Sequence, residues 1–418
     1  MQVSLRSRAR KTALWGGTLI LAAIYSGSAI REYLADHYSQ KSDLASLQRA
    51  VRLQPANAEY RDRFGRYLSM VQESPEAATE SYKAAVELNP YVAAYWLDLA
   101  AGYELLGNSG GQKAALEHAI NADPRRPEVA WEAANFYVVH GETQQALREL
   151  RTAIQGGPAL RAASLQLCWR VEPDVDIILG DAIPPVPDVY LFFLQLLISK
   201  KETAGAAKVW QELVRLGRPI ERASVFNYIR YLISEQEIVQ ARLVWQQATG
   251  LWGLPAYQPS PANLVVNGDF SLDVLNGGFD WLYQRSTSIA LALDPTQAHT
   301  GQRSLSIIFD GPGIKDAGIR QFIAVEANTT YQFSANFRAE DMEGAGGPQF
   351  AIRDAFGSRT YFSSEELKGA DFWKPVRGAF TTGTDTKLVV LEVDRVPAWS
   401  PIRGKLWIDG VRLAKANS

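Results

Sequence analysis

Pro55, Pro90, Pro124 and Pro158 stand 35, 34 and 34 residues apart. A fixed period near 34 residues marks a helix–turn–helix unit that cannot bury its apolar face alone and stacks on copies of itself. Proline cannot continue a helix, so each of the four is expected to stop the second helix of its unit.

In the unit ending at Pro124, Trp96, Leu99, Ala100 and Tyr103 precede Gly107, and Leu116 and Ala119 follow it. The unit ending at Pro158 repeats this order with Ala130, Ala133, Ala134, Tyr137, Gly141, Ala146, Leu150 and Ala153. Large residues recur at helical spacing, with small ones where two helices approach. Gly107 and Gly141 fall where a first helix should end, a place that suits the left-handed conformation open to glycine. The unit ending at Pro90, with Phe64, Gly65, Leu68, Ala78, Tyr82 and Ala85, is one residue longer. Before Pro55 only a second helix is visible, in Leu47, Ala50 and Leu53. Residues 197–211 and 232–246 align at an offset of 35, with Leu197/Leu232, Trp210/Trp245 and Gln211/Gln246 among the identical pairs. There Lys201 and Gln236 stand near the glycine position. Two degenerate units are expected, after an irregular stretch holding Pro173, Pro184, Pro185 and Pro187. This pattern resembles the tetratricopeptide repeat family. The resemblance implies a curved α-helical solenoid over residues 31–254, offering a groove to protein partners.

Residues 1–12 carry Arg6, Arg8, Arg10 and Lys11 and no acid, and residues 13–30 carry no charge. Eighteen helical residues reach about 27 Å, enough to cross a bilayer core. The basic flank favours the cytoplasmic side. The expectation is a single-pass transmembrane signal anchor at 13–30 in the inner (cytoplasmic) membrane, with residues 31–418 on the periplasmic side. A cleaved signal peptide, with small residues at 26–29, is the rival reading.

Residues 250–262 contain Pro255, Pro259, Pro261, Gly250 and Gly253, and 255–262 read as a linker. From Asn263 the hydrophobic period changes to 2. Tyr331, Phe333, Ala335 and Phe337 alternate with Gln332, Ser334, Asn336 and Arg338, while Leu305, Ile307 and Phe309 lie on one side of a second run. Residues 388–393 and 405–413 add two strands. The pattern predicts an antiparallel β-sandwich over residues 263–418.

The β-region opens Asn263-Leu-Val-Val-Asn-Gly-Asp-Phe270 and closes Leu406-Trp-Ile-Asp-Gly-Val-Arg-Leu413, with His299-Thr-Gly-Gln-Arg-Ser-Leu305 between them. Order and spacing resemble the galactose-binding-like jelly rolls of carbohydrate-binding modules. The resemblance implies first and last strands lying side by side, sometimes with a structural calcium between them, for which Asp269 and Asp409 are the matching residues. Ser271 stands where that family often has a carboxylate. The resemblance also implies a polysaccharide ligand held by exposed rings. Trp281, Tyr283, Tyr361, Trp373 and Trp399 are the candidate rings, with Arg395 and Arg403 flanking Trp399. Trp407 lies on the strand face opposite Leu406 and Ile408.

A net charge of −2 gives no electrostatic case for nucleic acid. Cys168 is the only cysteine, which excludes an intramolecular disulfide and reads as a core residue. Glu340/Asp341 and Glu365/Glu366 are adjacent pairs that point apart, not two walls of a hydrolytic cleft. No enzyme and no cofactor beyond the calcium are expected. The leading expectation is a non-enzymatic, membrane-anchored scaffold with a glycan-binding module, acting in cell-envelope or exported-polysaccharide assembly. A protein-docking β-domain is the alternative, and a hydrolase a third.

Overall fold

The computed structural model describes residues 8–284 and 286–416. Residues 1–7, which include Arg6 of the basic flank, and residues 417–418 of the expected sandwich lie outside the described residues. The chain divides into two compact units, Met1–Phe192 and Phe193–Ser418.

The first unit is helical: α1 (Arg8–Ser39), α2 (Leu44–Leu53), α3 (Ala58–Met70), α4 (Pro75–Leu88), α5 (Ala93–Leu105), α6 (Ser109–Ala122), α7 (Pro127–Val139), α8 (Thr143–Gln155), α9 (Pro158–Val171) and α10 (Val175–Asp181). Helix α11 (Pro187–Ser199) spans the boundary, and α12 (Thr203–Arg215), α13 (Arg222–Ser234) and α14 (Ile238–Leu251) follow. Successive helices pack as hairpins, α3 on α4, α5 on α6 and α7 on α8. The small residues make the close approaches. A Cβ on Gly65 would meet the Tyr82 ring at 2.6 Å, so α3 and α4 can touch only because residue 65 lacks one.

Pro55, Pro90 and Pro124 lie just past the ends of α2, α4 and α6. Pro158 differs. Helix α8 already ends at Gln155, and Pro158 is the first residue of α9, a position where its missing N–H costs nothing. The first helices end alike. Asn108 N–H donates to the Tyr103 carbonyl at 2.9 Å and Glu142 N–H to Tyr137 at 2.8 Å, across left-handed Gly107 and Gly141. Glu202 N–H to Leu197 at 3.0 Å and Glu237 N–H to Leu232 at 2.8 Å repeat this across Lys201 and Gln236, whose φ values are 59° and 61°. The degenerate units keep the cap and bear the left-handed strain on non-glycine residues. In the longer unit, left-handed Glu73 precedes a Ser74 N–H bond to Leu68 at 3.0 Å, one residue wider.

Helix α1 runs unbroken from the apolar segment into the array. Its Lys11–Ser39 portion, 29 residues that include an 18-residue window of mean hydropathy 1.5, is long and apolar enough to cross a membrane. Ala35, near its end, packs with Ala50, Val51 and Tyr60.

The second unit closes with a sandwich of two five-stranded antiparallel sheets. One holds β1 (Leu282–Tyr283), β4 (Asp316–Ala324), β9 (Leu388–Val396), β6 (Gly347–Asp354) and β7 (Thr360–Ser363) in that spatial order. The other holds β2 (Ile289–Asp294), β3 (Ser304–Gly311), β10 (Ile402–Lys415), β5 (Thr330–Gly344) and β8 (Lys374–Thr381). Phe270, Trp281, Ile307, Phe333, Phe350, Leu391 and Leu406 share the core between them. First and last segments lie side by side: Leu264 N–H donates to Leu413 and Val411 N–H to Gly268, both at 2.8 Å.

The unit boundary lies in α11, earlier than the 255–262 linker read from sequence, because α13 and α14 pack on the sandwich. Trp245 Nε1 donates to the Tyr257 carbonyl at 2.8 Å, and Tyr257 Oη to the Asp273 carbonyl at 2.6 Å. Tyr257 is buried, so this linker is pinned at its centre.

Candidate functional site

The alternation of β4, β9 and β6 decides what faces solvent. In β9, Val389, Leu391 and Val393 are buried while Val390, Glu392 and Asp394 face outward. Register then aligns Arg320 of β4, Glu392 of β9 and Ala351 of β6, with Phe322, Val390 and Arg353 in the next row and Asp394 beside Gln349. Arg353 forms ion pairs with both Glu392 and Asp394. Burial raises the Glu392 carboxyl above its ordinary range, neighbouring Asp394 adds to this, and Arg353 opposes it. Ser363 Oγ donates to Gln349 Oε1 at 3.1 Å. The Arg320 guanidinium lies 6.0 Å from the Phe322 ring centre. The result is a sheet face of fixed donors and acceptors with an aromatic ring at one side. Such a face suits a polyhydroxylated ligand, whose hydroxyls both donate and accept and whose ring faces stack.

None of these residues was singled out from sequence. The outward Glu392 and Asp394 amid apolar neighbours were the available signal, but β4, β6 and β9 meet only after long connections.

The rings chosen from sequence do not form one platform. Trp281 is buried: its Nε1 donates to the Asn267 carbonyl at 3.0 Å and its ring stacks on Phe270 at 5.2 Å. Asn267 and Phe270 both take left-handed φ near 50°, which turns Phe270 inward to meet it. Tyr283 is half-buried in an apolar pocket of about 460 Å³ between β1 and β2, with Ile289, Leu291 and Ile319. Tyr361 stacks on Phe380 at 5.5 Å, and its hydroxyl pairs with Thr386 Oγ1 at 2.5 Å and accepts from Gly383 N–H at 3.0 Å, so it holds the 383–386 turn. Trp373 is half-buried, 5.5 Å from His299. Trp407 is covered: its Nε1 donates to Asp294 at 2.9 Å, under the Arg338 guanidinium.

Trp399 alone of the candidate rings stands out, 70% exposed. Arg395, expected to flank it as a ligand contact, is instead buried and donates to the carbonyls of Val396 at 2.7 Å and Ala345 at 2.6 Å. Its charge holds the loop. Arg403 is exposed and lines a cleft of about 560 Å³ with Asp310, Pro312 and Glu343. The 311–313 turn joins Arg403 to Trp399: a Cβ on Gly311 would lie 2.9 Å from Arg403 Nε, and one on Gly313 would strike the Trp399 carbonyl.

Asp269 and Asp409, the two carboxylates proposed for calcium, are both engaged by protein donors. Asp409 is fully buried and accepts from His299 N–H at 2.7 Å, Thr300 N–H at 2.6 Å, Thr300 Oγ1 at 3.0 Å and Gly410 N–H at 2.6 Å. Four donors occupy the lone pairs a cation would need. Asp269 accepts from Ser271 N–H and Oγ at 3.3 and 2.9 Å. No group of three His, Cys, Asp or Glu residues suited to a metal occurs among the described residues.

Residues 262–397 match the family model described as a carbohydrate binding domain, a span that ends before Trp399, Arg403 and Asp409. Among solved structures, a CBM4 module is similar at 15% identity over 36% of this chain and 99% of its own, with a TM-score of 0.28. The CBM22-1 xylan-binding domain of Xyn10C from Paenibacillus barcinonensis matches at 14% identity over 36% of this chain and 93% of its own, with a TM-score of 0.25. The tetratricopeptide-repeat protein MamA matches at 17% identity over 45% of this chain and 90% of its own, with a TM-score of 0.28. No curated protein matches the chain. The chain thus carries a carbohydrate-binding-module-like β-sandwich behind a tetratricopeptide-like helical region.

Proposed function

We propose that the protein is a membrane-anchored, non-enzymatic scaffold that holds an extended glycan on its β-sandwich and docks protein partners on its helical repeats. Its setting would be cell-envelope or exported-polysaccharide assembly. The match of residues 262–397 to a carbohydrate binding domain carries this reading. The polar outer face of the β1-β4-β9-β6-β7 sheet supplies a surface for it. Glu392 and Asp394 lie side by side on one strand and share Arg353, an arrangement suited to holding hydroxyls, not to acid and base on opposing walls. The apolar, exposed length of α1 would be the anchor, leaving residues 31–418 outside the cytoplasm.

The full chain in detergent, applied to a broad glycan array, is expected to bind without cleavage, and Arg353→Ala to abolish binding. Reporter fusions after residue 45 are expected to be active only outside the cytoplasm. The absence of any glycan partner would leave the second reading, a protein-docking sandwich, which the burial of Trp281 and the half-burial of Trp373 and Tyr283 favour.

A further inference from the structure

The outer face of the β4 sheet does not end in open solvent. Beyond β4, Val239, Arg242, Leu243 and Gln246 of α14 face Phe322 and Ala324 across a cleft of about 520 Å³, with Gln258 and Leu264 in its lining. These four α14 positions follow i, i+3, i+4, i+7 and so form one helix face. The opposite face, with Ala241, Val244, Trp245 and Ala248, is buried. Val239 is 82% exposed, more apolar surface than a solvated helix face needs. Among the described residues, Arg242 and Arg320 form no ion pair. Both lie beside Phe322: Arg320 by its ring contact, Arg242 across the cleft. A ring beside two guanidiniums that form no ion pair matches a ligand that has an apolar face and a negative charge.

We propose that α14 forms a second wall of the glycan site and selects a carboxylate-bearing sugar, stacked on Phe322 with its carboxylate held by Arg242. This rests on the glycan-binding reading of the sandwich and adds the substrate class. It also gives the helical array a role in recognition, since the selecting side chain belongs to the last helix and not to the β-domain.

The test is titration calorimetry of the full chain in detergent with a short oligogalacturonate and with its methyl ester, at low and high salt. The acid form is expected to bind about tenfold more tightly than the ester, and more weakly at high salt. Arg242→Gln is expected to remove that preference, so that acid and ester bind alike. Because Arg242 is exposed, this variant should unfold at the wild-type temperature. Equal binding of acid and ester, or an unaltered preference in Arg242→Gln, overturns the charge selection while the glycan reading stands. Failure of both probes, together with failure of every sugar on a glycan array, overturns both.

Discussion

A Cβ on Gly278 would lie 2.2 Å from Cζ3 of Trp245, so helix α14 and the 275–281 loop fit together only because residue 278 is glycine. The neighbouring Gly277 stands in the same relation to Phe226, at 2.1 Å. Trp245 also meets Phe279 and Trp252 edge-on, at 6.4 and 6.3 Å. The last repeat and the sandwich thus share one aromatic cluster.

Gly278→Ala should therefore overpack this cluster and strain a backbone at φ +63°, costing about 1–3 kcal/mol. Gly250→Ala, inside α14 with nothing within 4 Å of the added carbon, should instead stabilise by up to about 1 kcal/mol. Chemical denaturation of both variants checks the contrast. Residues 187–418 alone are expected to lose helical and β-type circular dichroism in one transition, and two separate transitions would contradict the shared cluster.

Asp280 is fully buried beside this cluster. Its Oδ2 accepts from Leu275 N–H at 2.6 Å, and its Oδ1 has no partner among the described residues. Burial pushes its pKa up to about 7, against the amides of Leu275 and Trp281. The folded state then keeps a proton that the unfolded chain loses near pH 4, so stability falls as pH rises toward 7. Asp280→Asn keeps the acceptor for Leu275 and removes the titration. The stability lost between pH 5 and pH 8 should shrink in this variant by on the order of 2 kcal/mol, read from urea midpoints.

The repeats were legible because their cause is local. Gly107 and Gly141 mark helix ends by conformation alone, and Trp210 and Trp245 fall at matching core positions, both buried. The sandwich was legible from alternation in β3, β5, β9 and β10. The site was not. Whether Trp281 is a platform or a core residue depends on Asn267 and Phe270 turning toward it, and Arg395 looks like a ligand contact until its carbonyl partners across the loop are known. The polar face needs the register of three strands drawn from residues 316–396, which no local pattern carries. The α14 wall depends on how a helix meets a sheet.

Helix α3 holds a second buried acid. Asp62 Oδ2 lies 3.1 Å from Arg66 Nε, Arg66 also pairs with Asp98 at 2.6 Å, and Asp62 Oδ1 has no partner among the described residues. Burial, and then the adjacent Asp98, raises Asp62 to about 8. Stability tied to this proton is present below the ordinary aspartate range and is lost as pH rises through about 8. Asp62→Asn is thus expected to stabilise the helical unit more at pH 8 than at pH 5. Arg66→Ala takes from the buried Asp62 and from Asp98 the cationic partner they share and should destabilise it at neutral pH by about 1–3 kcal/mol, by the same measurement.

Trp281 and Trp399 should respond in opposite ways. Trp281→Ala empties a core position, removes a hydrogen bond to Asn267 and leaves Phe270 without its stacking partner, so a loss of about 3–5 kcal/mol in stability is expected. Trp399 is 70% exposed on a left-handed residue, and its backbone N–H donates to the Ile314 carbonyl at 2.8 Å. Trp399→Gly keeps that bond and relieves the left-handed strain, so its melting temperature should equal or exceed that of the parent. If the ring near Arg403 meets a glycan, Trp399→Gly should still weaken binding by on the order of 1 kcal/mol, the worth of one stacked ring. Unchanged glycan affinity in a fully folded Trp399→Gly protein would remove the ring from the site and leave recognition to the sheet face and α14.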